Sequence, residues 1–271
     1  MADPRTLLEA YDTQLRDAAE VASALRWERH GPLVWAVFTG GRGFVTYRSL
    51  EGYRGPALEE LVAATVQHFA NDPEVSAFEW KTRGHDGVPE LHEILVAHGF
   101  VADDPESVMI GRAQDLAVDL PVPDGVIVRR VTEPDDVRRM VDMQDAVFGH
   151  PSPGMVDELL MRLSSGKDDV ELWVAEANGQ VVCAGRLDPV EGTDFAGIWG
   201  GATHPAWRRR GIYRALTAER ARSALRRGKT LINSDSTEYS RPILERSGFV
   251  KVTTTTPYEW RRAGVADDVT T

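Results

Sequence analysis

Apolar and polar positions in the second half of the chain alternate between strand and helix periods. Strands are predicted where short apolar runs lie between turn residues, and helices where apolar residues recur every three or four positions. Asn178-Gly179 separates two such runs and is a strong hairpin signal. The pattern predicts, in chain order, strand 126–131, a helix capped by Thr132 and stopped at Gly149, helix 155–163, strands 171–176, 180–187 and 196–202, a helix ending near Arg227, strand 230–235, helix 240–247 and strand 250–260.

The first half carries a related, shorter pattern. It predicts a hairpin of strands 33–38 and 43–47 around Gly40-Gly41, helix 58–69, strand 77–81, helix 91–97 and strand 108–111. An internal echo supports kinship, because Ile94-Leu95 and Gly99-Phe100-Val101 have the same spacing as Ile243-Leu244 and Gly248-Phe249-Val250. We therefore expect two copies of one fold, joined by a linker at Gln114 to Asp124 that contains Pro121-Val122-Pro123.

A basic turn lies between strand 196–202 and the helix that follows it. Arg208-Arg209-Arg210-Gly211-Ile212-Tyr213 comes after Thr203-His204-Pro205 and opens the helix. The first N–H groups of a helix have no partner within it, and the helix dipole adds partial positive charge there. Gly211 has no Cβ and permits close approach of a ligand. The turn predicts a site for a ligand that carries several phosphates, and it specifies no reaction.

These residues resemble the pyrophosphate-binding motif of the GNAT superfamily of acyl-CoA-dependent N-acetyltransferases, which reads Arg/Gln-x-x-Gly-x-Gly/Ala at a helix start. Arg208 takes the first position and Gly211 the first glycine, whereas Tyr213 stands where a glycine or alanine is usual. The C-terminal signature of the family is similar to Pro242-Ile243-Leu244-Glu245-Arg246-Ser247-Gly248-Phe249. The resemblance covers about residues 126–262.

The resemblance implies the fold class and the domain organisation. We expect an α/β chain with α+β mixed sheets, built from two GNAT-like domains, each a mixed, mostly antiparallel sheet flanked by helices. Residues 125–265 are expected to form the N-acetyltransferase domain. Residues 1–118 are expected to form a degenerate copy without the phosphate-binding turn, since Tyr53-Arg54-Gly55-Pro56 stands in its place and a proline has no amide donor. No acyl-CoA is expected there.

The resemblance also implies the site residues, with acetyl-CoA as co-substrate. The strand glutamate and helix tyrosine that often handle protons in the family are missing, because the strand offers Trp199-Gly200-Gly201 and the tyrosine position is Leu244. Tyr239 and Asp235 are the alternative catalytic candidates, as proton donor and as proton acceptor through water. The residues expected to bind the co-substrate are Ala202, Thr203, Arg208, Arg209, Arg210, Gly211, Ile212, Tyr213 and Arg214.

Three functions fit this pattern. The first is an N-acetyltransferase that moves an acetyl group from acetyl-CoA to a primary amine of a small molecule or peptide, by direct transfer. The second is a non-catalytic acyl-CoA-binding or regulatory protein on the same fold. The third is transfer of a longer acyl group, or transfer to an oxygen acceptor. The carboxylates that could hold an amine acceptor are Asp188, Glu191, Asp194 and Glu238.

Charge is unevenly distributed along the chain. Residues 1–122 hold 10 basic and 20 acidic side chains, while residues 123–271 hold 21 and 22. The acidic first half argues against nucleic-acid binding. Within the basic cluster, Arg208 to Arg214 are assigned to the ligand, and Arg220 to Lys229 are expected to form a solvated helix face.

Composition excludes several other classes. No run reaches the ~18 apolar residues that span a bilayer, and the first residues lack the pattern of a signal peptide. The single cysteine, Cys183, lies in an apolar strand and is expected to be a buried structural thiol. His204 has no second His or Cys nearby at ligand spacing, so no metal site is expected. We expect a cytoplasmic protein, monomer or homodimer, without nucleic-acid or membrane partners.

Overall fold

The computed structural model describes residues 3–167 and 169–262. Its α-helices are α1 (Pro4–Gln14), α2 (Pro56–Asn71), α3 (Leu91–Ala97), α4 (Ala113–Leu116), α5 (Pro134–Phe148), α6 (Met155–Ser164), α7 (Ile212–Arg226) and α8 (Arg241–Ser247). Short 3-10 helices span Asp17–Val21, Thr39–Gly41 and Pro205–Trp207.

The strands follow the predicted order, with additions. They are β1 (Arg26–His30), β2 (Leu33–Phe38), β3 (Arg42–Tyr47), β4 (Ala77–Arg83), β5 (Val101–Ala102), β6 (Glu106–Arg112), β7 (Val126–Val131), β8 (Glu171–Ala177), β9 (Gln180–Pro189), β10 (Phe195–Thr203), β11 (Leu231–Ser236) and β12 (Val250–Arg261). No helix within the described ranges combines the length and the apolar character that crossing a membrane requires.

The chain divides into two compact units. The C-terminal unit comprises Met109–Ser234 and Tyr239–Lys251, besides residues 3 and 4. The N-terminal unit comprises Arg5–Val108, Asp235–Glu238 and residues 252–262. The units are therefore not two consecutive stretches of sequence, since the chain returns to the N-terminal unit twice. The domain boundaries inferred from the sequence, 1–118 and 125–265, stay a prediction.

In the C-terminal unit the strands lie in the order β11-β10-β9-β8-β7. β10 pairs in parallel with β11, and the β10–β9, β9–β8 and β8–β7 pairs are antiparallel. Apolar side chains leave both faces of these strands. One face packs against α7 and α8 through Ile212, Leu216 and Leu244, and the other packs against α5 and α6 through residues such as Met140 and Leu159.

In the N-terminal unit the order is β1-β2-β3-β4-β12, and β5 pairs with β12. β3 and β4 are parallel, whereas the β1–β2, β2–β3 and β4–β12 pairs are antiparallel. α2 and α3 cover an aromatic core in which Phe69, Phe78 and Trp80 are almost fully buried. Each unit is thus a mixed, mostly antiparallel sheet flanked by helices, which confirms the predicted fold class.

The two units repeat one order of elements: an antiparallel hairpin, a long helix, a parallel strand and a short helix. In the N-terminal unit these are β2, β3, α2, β4 and α3, and in the C-terminal unit they are β9, β10, α7, β11 and α8. The short helices also end alike. The N–H of Phe100 donates to the carbonyl of Leu95 at 3.1 Å, and the N–H of Phe249 donates to that of Leu244 at 3.1 Å.

This shared ending explains the repeated Gly-Phe pair. Gly99 and Gly248 both have left-handed backbone, with φ of 88° and 110°, and each donates its N–H three residues back at 3.0 Å. Such a glycine closes a helix by the Schellman pattern of hydrogen bonds. The phenylalanine that follows is buried in both units. The sequence echo therefore marks one structural device used twice.

Several elements differ from the sequence-based expectation. α1 and β1 were not predicted. In α1 only Leu7 and Tyr11 are buried, and β1 is exposed at every position and has no apolar alternation. The predicted linker at Gln114 to Asp124 is partly helical, since α4 ends at Leu116. The cap of α5 is Glu133 rather than Thr132, and it makes no side-chain capping bond.

Candidate active site

The edge of β10 is distorted by a bulge at two glycines. Trp199 lies opposite Arg186 of β9 and Ala202 lies opposite Ala184, so β10 has one extra residue in this interval. Gly200 has a φ of 61°. Its carbonyl accepts a hydrogen bond of 2.5 Å from Nε2 of Gln144, which is buried in α5. A bulge of this kind redirects the peptide groups of a strand, and here one of them is fixed by a side chain.

The pairing of β10 with β11 ends just before the bulge. Their parallel pairing runs from Phe195 opposite Leu231 to Gly197 opposite Asn233, while β10 continues to Thr203. The β11-facing edge of β10 therefore offers backbone donors and acceptors along its last residues. This opening lies next to the bulge and leads to the basic turn.

The turn after β10 is built from constrained backbone. The His204 N–H donates a hydrogen bond to the Val182 carbonyl at 2.9 Å. Pro205–Trp207 then forms a 3-10 turn. Arg209 and Gly211 have φ of 64° and 78°. Gly211 caps α7, and Ala215 N–H is the donor that closes the first turn on the Gly211 carbonyl, at 3.0 Å. The N–H groups of residues 211–214 precede that bond and therefore have no acceptor within the helix.

The charge at this helix start is positive and accessible. Arg208, Arg209, Arg210 and Arg214 are all exposed. Arg208 donates from Nε to the Thr203 carbonyl at 3.1 Å, and the Arg210 guanidinium lies 4.8 Å from the centre of the Trp207 ring. Among residues 3–167 and 169–262 none of the four arginines has a carboxylate within ion-pair distance. The first turn of α7 also contains no acidic residue.

Tyr213 fits because of a glycine on the facing strand. A Cβ on Gly201 would lie 2.7 Å from the Tyr213 hydroxyl and 2.8 Å from its Cε2. Bulk at the motif's second small position is therefore accommodated by the missing side chain at Gly201. Tyr213 packs against the core, with the Arg220 guanidinium 5.7 Å from its ring centre.

Comparison with known proteins shows which family this part of the chain resembles. Residues 138–249, from α5 to the Gly-Phe pair, match the Acetyltransferase (GNAT) family. These residues form a GNAT domain. No curated protein matches the chain. The GNAT family and fold support acyl transfer as the reaction class.

Solved structures extend the likeness to the whole chain. A GCN5-related N-acetyltransferase from Kribbella flavida is 18% identical, with a TM-score of 0.68, over 98% of this chain and 99% of that one. A tandem GNAT protein of the clavulanic acid biosynthesis pathway is 14% identical over 88% and 82%, with a TM-score of 0.59. A functionally unknown protein from Staphylococcus epidermidis is 15% identical over 88% and 94%, with a TM-score of 0.63. These likenesses show that nearly the whole chain, including the N-terminal unit, shares its fold with these structures, one of which is a tandem GNAT protein.

The proton-handling groups of this GNAT domain differ from the family pattern. Leu244, at the usual tyrosine position, is 2% exposed and packs in the core. Tyr239 is 83% exposed at the approach to α8. Its hydroxyl is therefore free to meet a ligand. Its role as proton donor stays a prediction.

Asp235 lies in the N-terminal unit and is engaged there. Its Oδ2 accepts a hydrogen bond of 2.6 Å from the Lys81 ammonium. Lys81 also forms an ion pair with Glu20 at 3.2 Å. Both carboxylate oxygens of Glu20 accept hydrogen bonds from Nη2 of buried Arg83. Burial opposes the charge of Lys81, but Asp235 and Glu20 raise its pKa. To accept a proton, Asp235 would have to give up this ion pair.

Two predictions about charged side chains in the C-terminal unit are corrected by the contacts. Arg220, expected on a solvated face, is fully buried, donating to the Arg186 carbonyl at 3.2 Å and to the Thr217 hydroxyl at 3.1 Å. Asp188, considered as an amine ligand, is paired with Arg162 at 3.2 Å. Burial outweighs its arginine neighbours and raises the pKa of Asp188. It is therefore removed from the accessible carboxylates.

Sequence reasoning missed two polar residues of the site, Gln144 and Asn233. Gln144 is a polar residue on the buried face of α5, four positions after Met140, and this interruption of the apolar pattern was the available signal. Asn233 is the last residue of β11 paired with β10 and is 6% exposed. Its Oδ1 is buried and has no hydrogen-bond donor within the described part of the chain.

Cys183 lies on β9, opposite Thr203 of β10. The Cys183 thiol is buried 3.2 Å from the Thr203 hydroxyl, and burial raises its pKa to about 11. A thiol that stays protonated is a poor nucleophile. Across residues 3–167 and 169–262, no group of three or more His, Cys, Asp or Glu side chains is arranged to hold a metal ion.

Proposed function

We propose that the protein transfers an acetyl group from acetyl-CoA to a primary amine of a small molecule or peptide. The observation that carries this proposal is the start of α7, where unpaired N–H groups and four exposed arginines adjoin the open edge of β10. Phosphates bind readily at such a helix start. The GNAT family and fold support acyl transfer, and the donor and acceptor are our inference.

The site residues fit the parts of acetyl-CoA. The amides of Gly211, Ile212 and Tyr213 would hold the pyrophosphate, because a Cβ is absent at Gly211 and the space beside it is open. The exposed guanidinium groups of Arg208, Arg209, Arg210 and Arg214 would add charge complementarity. Ala202 and Thr203 would pair through their backbone with the amide groups of the pantetheine arm.

The bulge supplies the groups that act on the reacting carbonyl. Gln144 holds the Gly200 carbonyl on the α5 side, which leaves the following N–H groups of the bulge to stabilise negative charge on an oxygen. Acetyl-CoA supplies an activated thioester when it is bound. Direct transfer is favoured over an acyl-enzyme because the Cys183 thiol is buried and protonated.

Proton transfer is assigned to Tyr239. The exposed Tyr239 hydroxyl would protonate the departing thiolate. Asp235 is the weaker candidate for proton acceptor because of its bond to Lys81. Tyr239→Phe should lower kcat at unchanged affinity for acetyl-CoA.

A charge placed in the turn tests the donor site. Gly211→Glu should weaken CoA binding at least about tenfold, because a carboxylate at the helix start repels the pyrophosphate. Gly228→Glu is the matched control, since Gly228 also has left-handed backbone with open space around it but lies at the other end of α7. Titration calorimetry measures both. Equal CoA affinity in the two variants would refute the site.

The alternative is a non-catalytic acyl-CoA-binding protein. The specific observation in its favour is the buried Leu244 at the position of the family tyrosine. Turnover separates the two functions: release of free CoA in the presence of an amine panel supports the enzyme. Binding of acetyl-CoA without release of free CoA in the presence of any amine would support the alternative.

A further inference from the structure

We propose that β1 pairs with the same strand of a second copy of this chain, giving a homodimer through the N-terminal unit. β1 ends the strand order, and β2 is its neighbour in the sheet. Its five residues are all exposed. The outer edge of such a strand presents backbone donors and acceptors that a further strand can use.

Apolar side chains beside this edge favour a covered state. Leu25, which precedes β1, is 64% exposed, and Trp27, within it, is 47% exposed. Natural edge strands are usually short, charged or covered, because an exposed apolar edge promotes association. Trp27 lies opposite Ala36 on β2, so a neighbouring strand on its other side would cover the indole.

Charge selects a second copy and one register. In an antiparallel pair centred on Trp27, Arg26 of each copy lies directly opposite Glu28 of the other, twice by symmetry. A register centred on Arg26 would oppose two arginines, and one centred on Glu28 would oppose two glutamates. Like charges directly opposite destabilise a strand pair. The sequence of β1 is therefore complementary to itself in the register that also stacks the two tryptophans.

The charged groups remain accessible in the single chain. Arg26 contacts Asp72 at 2.7 Å and Glu74 at 3.0 Å, yet its side chain is 46% exposed. Glu28 lies 3.6 Å from His68 and is 62% exposed. Surface pairs of this kind are weakly held, so both residues can also serve a partner strand.

Charge reversal tests the register. The wild type should have twice the 30.0 kDa chain mass by light scattering. Arg26→Glu and Glu28→Arg should each weaken self-association at least about tenfold, because each opposes like charges. A one-to-one mixture of the two variants should restore the dimer as a heterodimer, and so should both substitutions in one chain. Val101→Asp, at a 71% exposed apolar residue of the same unit, is the control and should leave the dimer intact.

A covalent readout also traps a weakly associated dimer. The two copies of residue 27 face each other across the axis at a Cα separation that permits a disulfide. Trp27→Cys should therefore give a covalent dimer on mild oxidation, and Val101→Cys should not, while native Cys183 is buried. A wild type of single-chain mass at every concentration, a dimer that both charge reversals leave intact, or equal cross-linking of the two cysteine variants would each overturn the proposal.

Discussion

Gly201 and Tyr213 act as a pair at the heart of the site. The GNAT motif usually has a small residue where Tyr213 stands, and the missing side chain at Gly201 provides the space for the ring. A tyrosine at this position therefore does not by itself close the turn to a ligand. It fills the space between the β10 bulge and the first turn of α7.

This complementarity predicts coupled mutations. Gly201→Ala should destabilise the protein by about 1–3 kcal/mol through overpacking against the Tyr213 ring. The same substitution in a Tyr213→Ala background should cost much less, because its steric partner is gone. Denaturant unfolding of the four proteins gives the coupling energy. Additive effects would mean that the two side chains do not contact.

Gln144 is the second residue with a specific prediction. Gln144→Leu leaves the half-buried Gly200 carbonyl without its donor and should cost about 1 kcal/mol. If the proposed function holds, kcat should fall while the affinity for CoA is retained, since the bulge orients the reacting carbonyl and not the phosphates. Gln67→Leu, at an exposed position of α2, serves as the control. An unchanged kcat would separate Gln144 from catalysis.

Residue-level reasoning from the sequence succeeded where backbone chemistry decides and failed where packing decides. Gly211 was identified because it has no Cβ, and Gly99 and Gly248 because their spacing repeats, and all three have left-handed backbone in the structure. Arg220 was misplaced, because its burial depends on Tyr213, Thr217 and the Arg186 carbonyl, which are distant partners or contacts invisible in a helical pattern.

At the scale of elements, the starts of α7 and α2 differ in their suitability for binding an anion. Both helices are capped by a glycine with positive φ, Gly211 at 78° and Gly55 at 50°. The next residue is Ile212 in α7, which has an amide donor, and Pro56 in α2, which has none. α2 also carries Glu59 in its first turn. The same fold element is therefore suited to an anion in one unit and unsuited to it in the other.

Most elements could be predicted from the sequence because their apolar periods are clear. Strands β2 and β7 and helix α3 match their predicted bounds, and the others of the two repeats differ by a few residues. α1 was missed because only Leu7 and Tyr11 are buried along it. β1 was missed because an edge strand exposed at every residue has no burial to record in its sequence.

The ionic cluster at Glu20 joins the first 3-10 turn to β4 and predicts acid sensitivity. Burial opposes its charge, but Arg83 and Lys81 lower the pKa of Glu20 from 4.5 to about 2. The stability it contributes is present above pH 4.5 and is lost as the pH falls through about 2. The difference in unfolding free energy between wild type and Glu20→Gln should shrink by roughly 3 kcal/mol over that interval.

Denaturant unfolding at a series of pH values measures this difference. Glu51→Gln, at an exposed glutamate, should show no such trend. If the difference in unfolding free energy between the wild type and Glu20→Gln is the same at pH 5 and pH 2, the cluster does not depress the pKa of Glu20.

For the whole molecule, the two units have diverged in charge as well as in their helix starts. The net negative charge is concentrated in residues 1–122, which hold 20 acidic and 10 basic side chains, while the exposed arginines of the turn lie in the GNAT domain. We therefore propose that ligand binding belongs to the GNAT domain alone. The catalytic residues and the acceptor could not be read from the sequence, because the usual glutamate and tyrosine positions are filled by other residues.

The most direct test of this assignment follows backbone amide resonances during titration with CoA. The largest shifts should occur at Gly211, Ile212 and Tyr213, where N–H groups would donate to the phosphates. The amides of Gly55 and Ala57 should stay unchanged. Largest shifts at the start of α2, or no shift at residues 211–213 under saturating CoA, would contradict the central claim that the α7 turn is the acyl-CoA site.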